Sequence, residues 1–433
     1  MSLFVQILLL TLVTLLFSMI SIIYYHRIWN PILVFIGMFF LGVIFAITGS
    51  QSLYFKKALF WIIMGETVFI ASFILAQICF NRRTSKDYTV NVKYNVRSVN
   101  HALTICVFLA LFSLLLSIYS VMQVAPNFSS IFLNSTYVRS LYLERSDHIV
   151  VTLIMLIIKP NYFIMLCLFP VALKLGLKKV WFRLFLVFGL RLFESLVTMS
   201  KELFLIDLVI FISAYILTAK GIKEELKFYK KYSLPLVILI CILLVVISFQ
   251  RNYIGQGRYS SYLDAIIGTI RTYVSVGISA FGDLLNSTLS FTDGQLCFRP
   301  VFNILSYFGI GTRISIMQEA AVGNVNVYTA FGNMYRDFSY FGIIILSVFF
   351  GALCGVLYNT NYKFRLANIV INSIIMMTMF FGYYDLMIIQ TIYPFTMVYA
   401  YFFDRFFAKK IYSNTSRKEL DMNQSLLMKE SGF

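Results

Sequence analysis

The chain has 433 residues, of which 60% are hydrophobic, 17% aromatic and only 13% charged. A soluble domain of that content would expose far too much apolar surface to water, and a closed β-barrel is excluded because its strands are about ten residues long with strict alternation. The formal net charge of +17 reads as basic cytoplasmic loops, where Lys and Arg accumulate in membrane proteins, rather than as a nucleic-acid surface.

Apolar runs of the length that crosses a bilayer as a helix recur from end to end, so we predict an all-α polytopic membrane protein in one domain, 1–433. Eleven transmembrane helices are expected, over 4–25, 31–49, 59–80, 101–124, 149–174, 181–198, 202–219, 234–249, 337–359, 367–383 and 386–403. The first has no basic segment ahead of it and is long enough to be kept as a helix, so no cleaved leader is expected. The fifth is interrupted by Lys159-Pro160-Asn161 and is expected to kink there. The sixth and seventh are short and meet at "MSKE".

Orientation follows from the loops. Arg82, Arg83, Lys86, Lys93 and Arg97 fall on one side with Lys220, Lys223, Lys227, Lys230 and Lys231. The tail over 404–433 adds Arg405, Lys409, Lys410, Arg417, Lys418 and Lys429 on that same side. The charge rule makes that side the cytoplasm, with the N-terminus outside and the C-terminus inside. The large segment on the opposite side runs from Gln250 to Arg336. No internal repeat of the kind that marks many transporters is present.

The cations of this outer loop are Arg251, Arg258, Arg271, Arg299, Arg313 and Arg336, without a lysine. Arginine offers a planar fork for phosphate or carboxylate, so the set points to an anionic ligand such as a phosphate or pyrophosphate. The alternative is pairing with Asp264, Asp283, Asp293, Glu319 and Asp337, or with lipid headgroups. Leu263, Ile266, Ile267, Ile270, Val274, Ile278, Phe281 and Leu285 recur at helical spacing. That face predicts an amphipathic helix lying on the membrane surface or packed on the spans, suited to a substrate with a lipid tail and a polar head. Tyrosines and amides, among them Asn326 and Tyr328, are dense here and suit sugars or the interfacial aromatic belt.

Charges inside apolar runs are costly. Arg191 and Glu194 sit three apart near the outer end of the sixth span, and Lys201-Glu202 marks the tip between the sixth and seventh. They either join the arginine-rich loop or form a mutually paired cluster. Glu66 and Asp385 have no assigned role. The histidines lie outside the large loop, the six cysteines are scattered, and no nucleotide loop or metal-ligand spacing appears, so no cofactor, metal or disulfide is expected. "GALCG" places Gly351 and Gly355 four apart, a pattern for close helix packing.

Four features together resemble the Wzy-type oligosaccharide repeat-unit polymerases of bacterial surface polysaccharides. They are the spans with a large late outer loop, the tip in "LVTMSKELFLIDLVI", the segment "FQRNYIGQGR", and "NVYTAFGNMYRDFSYFG". Two positions depart from the family pattern: Lys201 stands where the tip shows Arg, and Ser339 follows Asp337-Phe338 where the family has Gly. The resemblance implies an inner-membrane glycosyltransferase of the GT-C-like, lipid-carrier-dependent class. It would move a growing chain from undecaprenyl pyrophosphate onto the non-reducing end of the next lipid-linked repeat unit, at the periplasmic face. A flippase and a chain-length regulator are the implied membrane partners. Arg251, Arg258, Arg271 and Arg313 would stabilise the leaving pyrophosphate, with Arg191, Lys201 and Arg336 as further contacts. Asp337, Glu319 and Asp264, in that order, are candidates for the base. Asn326, Tyr328 and Thr329 would contact sugar. An O-antigen ligase would be expected to carry a histidine in the large loop, and a flippase or other transporter would spread its charges through mid-membrane positions.

Overall fold

The computed structural model describes residues 2–47, 54–81, 93–125, 127, 130–133, 138, 141, 149–198, 200–219, 221–232, 234, 262–287, 290–310, 328–358 and 365–412. For Lys201, Asp264 and Arg271 it describes the backbone alone. The expected eighth span lies outside the described residues except for Leu234.

Among the described residues the chain is helical, with a single isolated bridge between Tyr94 and Tyr412 and no strand. The helices are α1 (Leu3–Tyr25), α2 (Pro31–Ile47), α3 (Phe55–Asn81), α4 (Val96–Met122), α5 (Ile149–Leu166) and α6 (Leu168–Lys174). They continue with α7 (Val180–Val197), α8 (Lys201–Leu217), α9 (Tyr262–Leu284), α10 (Arg299–Tyr307), α11 (Ala330–Leu357), α12 (Leu366–Phe381) and α13 (Ile392–Ile411). Five stretches are long and apolar enough to cross a membrane: Leu3–Tyr25, Phe55–Phe80, Val96–Met122, Leu153–Lys174 and Ala330–Leu357. α2 and α12 are shorter apolar helices; α7 and α8 fall on the expected spans 181–198 and 202–219, and α13 overlaps the expected span 386–403 but is shifted toward the C-terminus. α1 turns Phe4, Leu12, Leu15, Leu16, Met19 and Ile23 outward, the surface a lipid-facing helix presents.

Several of the polar groups inside these helices are satisfied locally, as a medium without water favours. Thr11, Thr67, Thr104, Thr378 and Thr396 each donate to the carbonyl four residues back, at 2.7–3.2 Å. Asn95 caps α4 by accepting from the amides of Arg97 and Ser98. Pro160 sits inside α5 without breaking it. Its missing amide leaves one carbonyl short, and the Asn161 side chain donates to the next one, that of Ile157, at 2.8 Å. α5 passes into α6 at Cys167, whose backbone stays in the right-handed helical region.

The most extensive helix pair is α3 against α11. A Cβ on Gly351 would collide with the Phe69 carbonyl oxygen, and one on Gly355 would reach the Phe73 carbonyl at 2.5 Å. Gln77 then donates across the seam to the carbonyls of Gly355 and Tyr358. The GxxxG spacing therefore does what close packing asks of it.

Contacts between helix termini sort into two ends. At one, Arg27 donates to the carbonyls of Ile216 and Ala219 at 2.6 and 2.8 Å, and the Trp29 amide donates to Glu225. Arg365 pairs with Asp404 at that end, and Tyr412 bonds the same carboxylate. At the other, Lys57 donates to the Leu285 carbonyl at 3.3 Å, and the Ala330 amide to the Gly382 carbonyl at 2.9 Å. α12 runs from the first end, at Arg365, to the second, at Gly382. The first end carries Arg27, Lys178, Lys179, Lys223, Lys227, Lys230 and Lys231 and is the basic one.

Candidate functional site

The second end gathers three places where helices meet: the α7–α8 tip, the start of α11 and the turn between α12 and α13. α11 begins at Ala330, earlier than the ninth span was expected to start, and residues 330–337 are all buried. Tyr328 and Thr329 lead into it, 5% and 0% exposed, and the Thr329 hydroxyl has no hydrogen-bond partner among the described residues.

Asp337 is fully buried, and donors occupy both its carboxylate oxygens. The Thr292 hydroxyl and the Leu296 amide reach Oδ1 at 2.6 and 3.0 Å, and the Cys297 amide reaches Oδ2 at 2.7 Å. The neighbouring carbonyl of Arg336 accepts from the Thr292 amide at 2.9 Å. Asp337 thus ties the turn over 292–297 to α11. Cys297 lies in that turn, and burial, with Asp337 beside it, pushes its thiol well above the usual range. Arg299, at the start of α10, is buried, and its Nε has no hydrogen-bond partner among the described residues.

Directly after Asp337 the helix breaks. Phe338 takes φ −141°, ψ 28°, and Ser339 takes φ 59°, ψ −153°. The second pair lies in a region essentially reserved for glycine. Three residues on, a Cβ at Gly342 would collide with the Met334 carbonyl oxygen. α11 is therefore a buried two-turn segment and a long helix, joined at a sharp break.

α7 and α8 are short. The 17 residues of α8 rise about 26 Å at 1.5 Å each, slightly less than the roughly 30 Å hydrocarbon core. A buried ion cluster joins them. Arg191 Nη1 meets Glu194 at 2.5 Å and its Nε meets Asp207 at 2.6 Å, all three side chains being 1% exposed or less. Ser113 and Ser117 of α4 donate to the other Glu194 oxygen at 3.0 and 2.9 Å. The Tyr162 hydroxyl donates to Asp207 at 2.8 Å, and its ring lies 4.9 Å from the Arg191 guanidinium carbon. The mutually paired cluster, one of the two readings of Arg191 and Glu194, is the arrangement the structure shows.

Beside the cluster lies a cavity of about 160 Å³, lined by Lys159, Arg191, Glu202, Gln390 and Tyr393, with an apolar wall that includes Phe163 and Leu203. From its edge a hydrogen-bonded chain leads to α11. Gln390 Nε2 donates to Glu202 and to Asp385, both at 3.4 Å. Asn333 Nδ2 donates to the other Asp385 oxygen at 2.5 Å. The tip and the segment around Asn333 are separated by more than a hundred residues and meet through Asp385 and Gln390.

The sequence-predicted site residues divide accordingly. Arg191, Tyr328, Thr329, Arg336 and Asp337 are all buried at this end. Arg251, Arg258, Arg313, Glu319 and Asn326 lie outside the described residues, and Lys201, Asp264 and Arg271 are placed by backbone only. The C-terminal part of α9 is buried through Ser275, Ile278, Ala280, Phe281 and Leu284, so it is packed on the spans rather than laid on the surface. Its Gly277 comes against the Tyr383 carbonyl, 2.8 Å from where a Cβ would stand.

Sequence reasoning gave no role to Asp207, Asp385, Gln390 and Tyr393. Asp207 carried a signal, since a lone carboxylate in an apolar run is a site by default. The chain matches no protein-family model, no curated protein and no solved structure.

Proposed function

We propose that this protein is a polysaccharide polymerase of the Wzy type, joining oligosaccharide repeat units carried on undecaprenyl pyrophosphate at the periplasmic face of the bacterial inner membrane. The observation that carries this reading is the hydrogen-bonded chain Glu202–Gln390–Asp385–Asn333. It links two of the three segments that bear the family resemblance, the α7–α8 tip and the start of α11, at one end of the bundle, opposite the basic end. By the charge rule that end faces away from the cytoplasm. Ser339 adds support, because the backbone at this position takes a glycine conformation where the family pattern has glycine.

A lipid tail would lie among the spans and its pyrophosphate at their outer ends. The loop arginines, Arg299 among them, would stabilise charge developing on the leaving pyrophosphate. Asp337 serves as the anchor of the 292–297 turn, since its oxygens are engaged there. The test is deletion of the gene followed by a lipopolysaccharide gel. Loss of a polymerase leaves one repeat unit on the core, and a full ladder in the deletion strain refutes the proposal.

A transporter is the second reading, favoured by one observation: Arg191, Glu194 and Asp207 put charge deep in the bundle. The same gel separates the two, because loss of a flippase stops export of the unit altogether, and loss of a ligase leaves none attached.

A further inference from the structure

Residues 222–232, which follow α8 at the basic end, are helical as well. Their contacts run to helix termini. Glu225 Oε1 accepts from the Trp29 amide, just ahead of α2, at 2.6 Å, and Glu224 pairs with Lys174, at the end of α6, at 3.6 Å. The Phe228 ring lies 4.4 Å from that of Tyr215, near the end of α8, and the Tyr232 ring lies 5.5 Å from that of Trp181, at the start of α7. The segment therefore lies across the end of the bundle rather than along a span.

Its side chains are sorted around the helix, at about 100° per residue. Glu225, Phe228 and Tyr232 form the packed face, the first two buried and the third half-buried. On one flank, a turn apart, Ile222 and Leu226 are 39% and 49% exposed. Beyond them come Lys230, Lys223, Lys227 and Lys231, all exposed. Among the described residues no carboxylate pairs with any of these lysines, and Lys231 stands 5.1 Å over the Tyr232 ring. The segment's own carboxylates are engaged, Glu224 by Lys174 and Glu225 by the Trp29 amide and the Tyr229 hydroxyl.

A packed face, then an apolar stripe left open, then a lysine stripe is the arrangement of a helix lying at a membrane boundary. The apolar stripe enters the acyl region, and the lysine stems run up to the headgroups. Trp181, 52% exposed beside Tyr232, is the kind of amphipathic ring such a boundary collects. Lysines with no carboxylate to neutralise them complement an anionic lipid surface.

We propose that residues 222–232 form an in-plane membrane helix that binds anionic phospholipid headgroups of the leaflet at the basic end, through Lys223, Lys227, Lys230 and Lys231. Its packed face holds the start of α2 and the ends of α6 and α8, so headgroup binding braces those helix ends. The site lies at the opposite end from the Glu202–Gln390–Asp385–Asn333 chain and stands or falls apart from the polymerase reading.

The test is lipid binding by the full chain in mild detergent, counted by native mass spectrometry. Phosphatidylglycerol and phosphatidylcholine with the same acyl chains are titrated separately. Wild type should prefer phosphatidylglycerol, and added salt should shrink the preference. A lysine near an anionic surface is worth about fivefold in affinity. Lys223→Gln, Lys227→Gln, Lys230→Gln and Lys231→Gln together should therefore abolish the preference, and arginine at the same positions should keep it. The smaller change Lys223→Gln with Lys227→Gln should cost about 25-fold, so the outcome does not hang on the folding of the quadruple variant. Glycerol phosphate, the headgroup without its tails, should not displace the lipid. Equal binding of the two lipids by wild type overturns the inference. So does an undiminished preference in both glutamine variants, or displacement by glycerol phosphate, which would mark a site for free anions.

Discussion

Ser339 is where backbone geometry makes its sharpest demand. Its φ of 59° and ψ of −153° place a Cβ-bearing residue in a region that costs about 1–3 kcal/mol. Glycine removes that cost and gives back about 0.5–1 kcal/mol through the greater freedom of its unfolded chain. The net expectation for Ser339→Gly is a gain of about 0.5–2 kcal/mol. At about 2 °C per kcal/mol, the low end of the range for domains of 150–250 residues because the slope shrinks with chain length, the midpoint should rise by about 1–4 °C. The assay is heating of the detergent-solubilised protein, fused to a fluorescent reporter, and measuring the monodisperse fraction that remains. Two controls isolate the cause. Ser339→Ala keeps the Cβ and removes the hydroxyl, so it should stay within about 0.5 kcal/mol of wild type. Ser339→Val adds a β-branch to the same strained backbone and should lower the midpoint. If Ser339→Gly melts at or below wild type while Ser339→Ala matches it, the backbone is not strained there, and the link between this break and the family's glycine is lost.

Other perturbations test other parts of the fold. Arg191→Ala would leave Glu194 and Asp207 buried beside each other without a cation, a loss of about 3–5 kcal/mol; immunoblotting of membranes should show depletion, partly reversed by adding Asp207→Asn. Gly351→Leu and Gly355→Leu would force α3 and α11 apart against the Phe69 and Phe73 carbonyls, at about 1–3 kcal/mol each or more, read as lost thermal stability. Cys297 should resist a membrane-impermeant maleimide at pH 8, because burial raises its thiol and the thiolate forms only above that pH. Asp337→Ala orphans the amides of Leu296 and Cys297 and should open the turn to labelling.

Much of the architecture was legible because a membrane leaves few choices. The lengths of the apolar runs placed α1, α3, α4, α7, α8, α11 and α12 to within a few residues at most ends, while α13 lies several residues C-terminal of its expected place. The start of α11 is another exception. "AFGNMYRD" reads as polar loop, yet it forms a buried helical segment whose polar groups find partners on other elements, as Asn333 does with Asp385 and Asp337 with the 292–297 turn. Hydropathy cannot see such pairing, because it scores each side chain against solvent and not against a partner distant in sequence. The same limit hid Asp385 and Gln390. Each looks isolated in sequence, and only the turn between α12 and α13 sets them against Glu202 and Asn333. Arg191 and Glu194 were visible as a pair three apart on one helix, but the cation's second partner, Asp207, sits on the next helix.

The deep ion cluster sets how α7 and α8 sit against each other. α7 and α8 are joined at the tip around Ser200, and Glu202 stands in the first turn of α8. A short hairpin near the membrane boundary gains little from lipid burial to fix its rotation. The Arg191–Asp207 bond, five residues below Glu202, supplies a directional lock between the two helices. Tyr162 and the α4 serines hold that lock from the sides. Replacing a buried ion pair by apolar residues of similar size is often neutral or stabilising, so stability alone does not explain its presence here. Directionality does: apolar packing tolerates a small rotation of α8, whereas the charge-assisted Arg191–Asp207 bond, with the Tyr162 hydroxyl on the same carboxylate, does not. Rotation of α8 would turn Glu202 away from Gln390 and the cavity. An apolar replacement of all three charged residues, Arg191→Met with Glu194→Leu and Asp207→Leu, should then fold as well as wild type and, on the proposed polymerase reading, make shorter or fainter polymer. A triple variant that folds and polymerises normally would show that the rotation of α8 does not depend on the cluster.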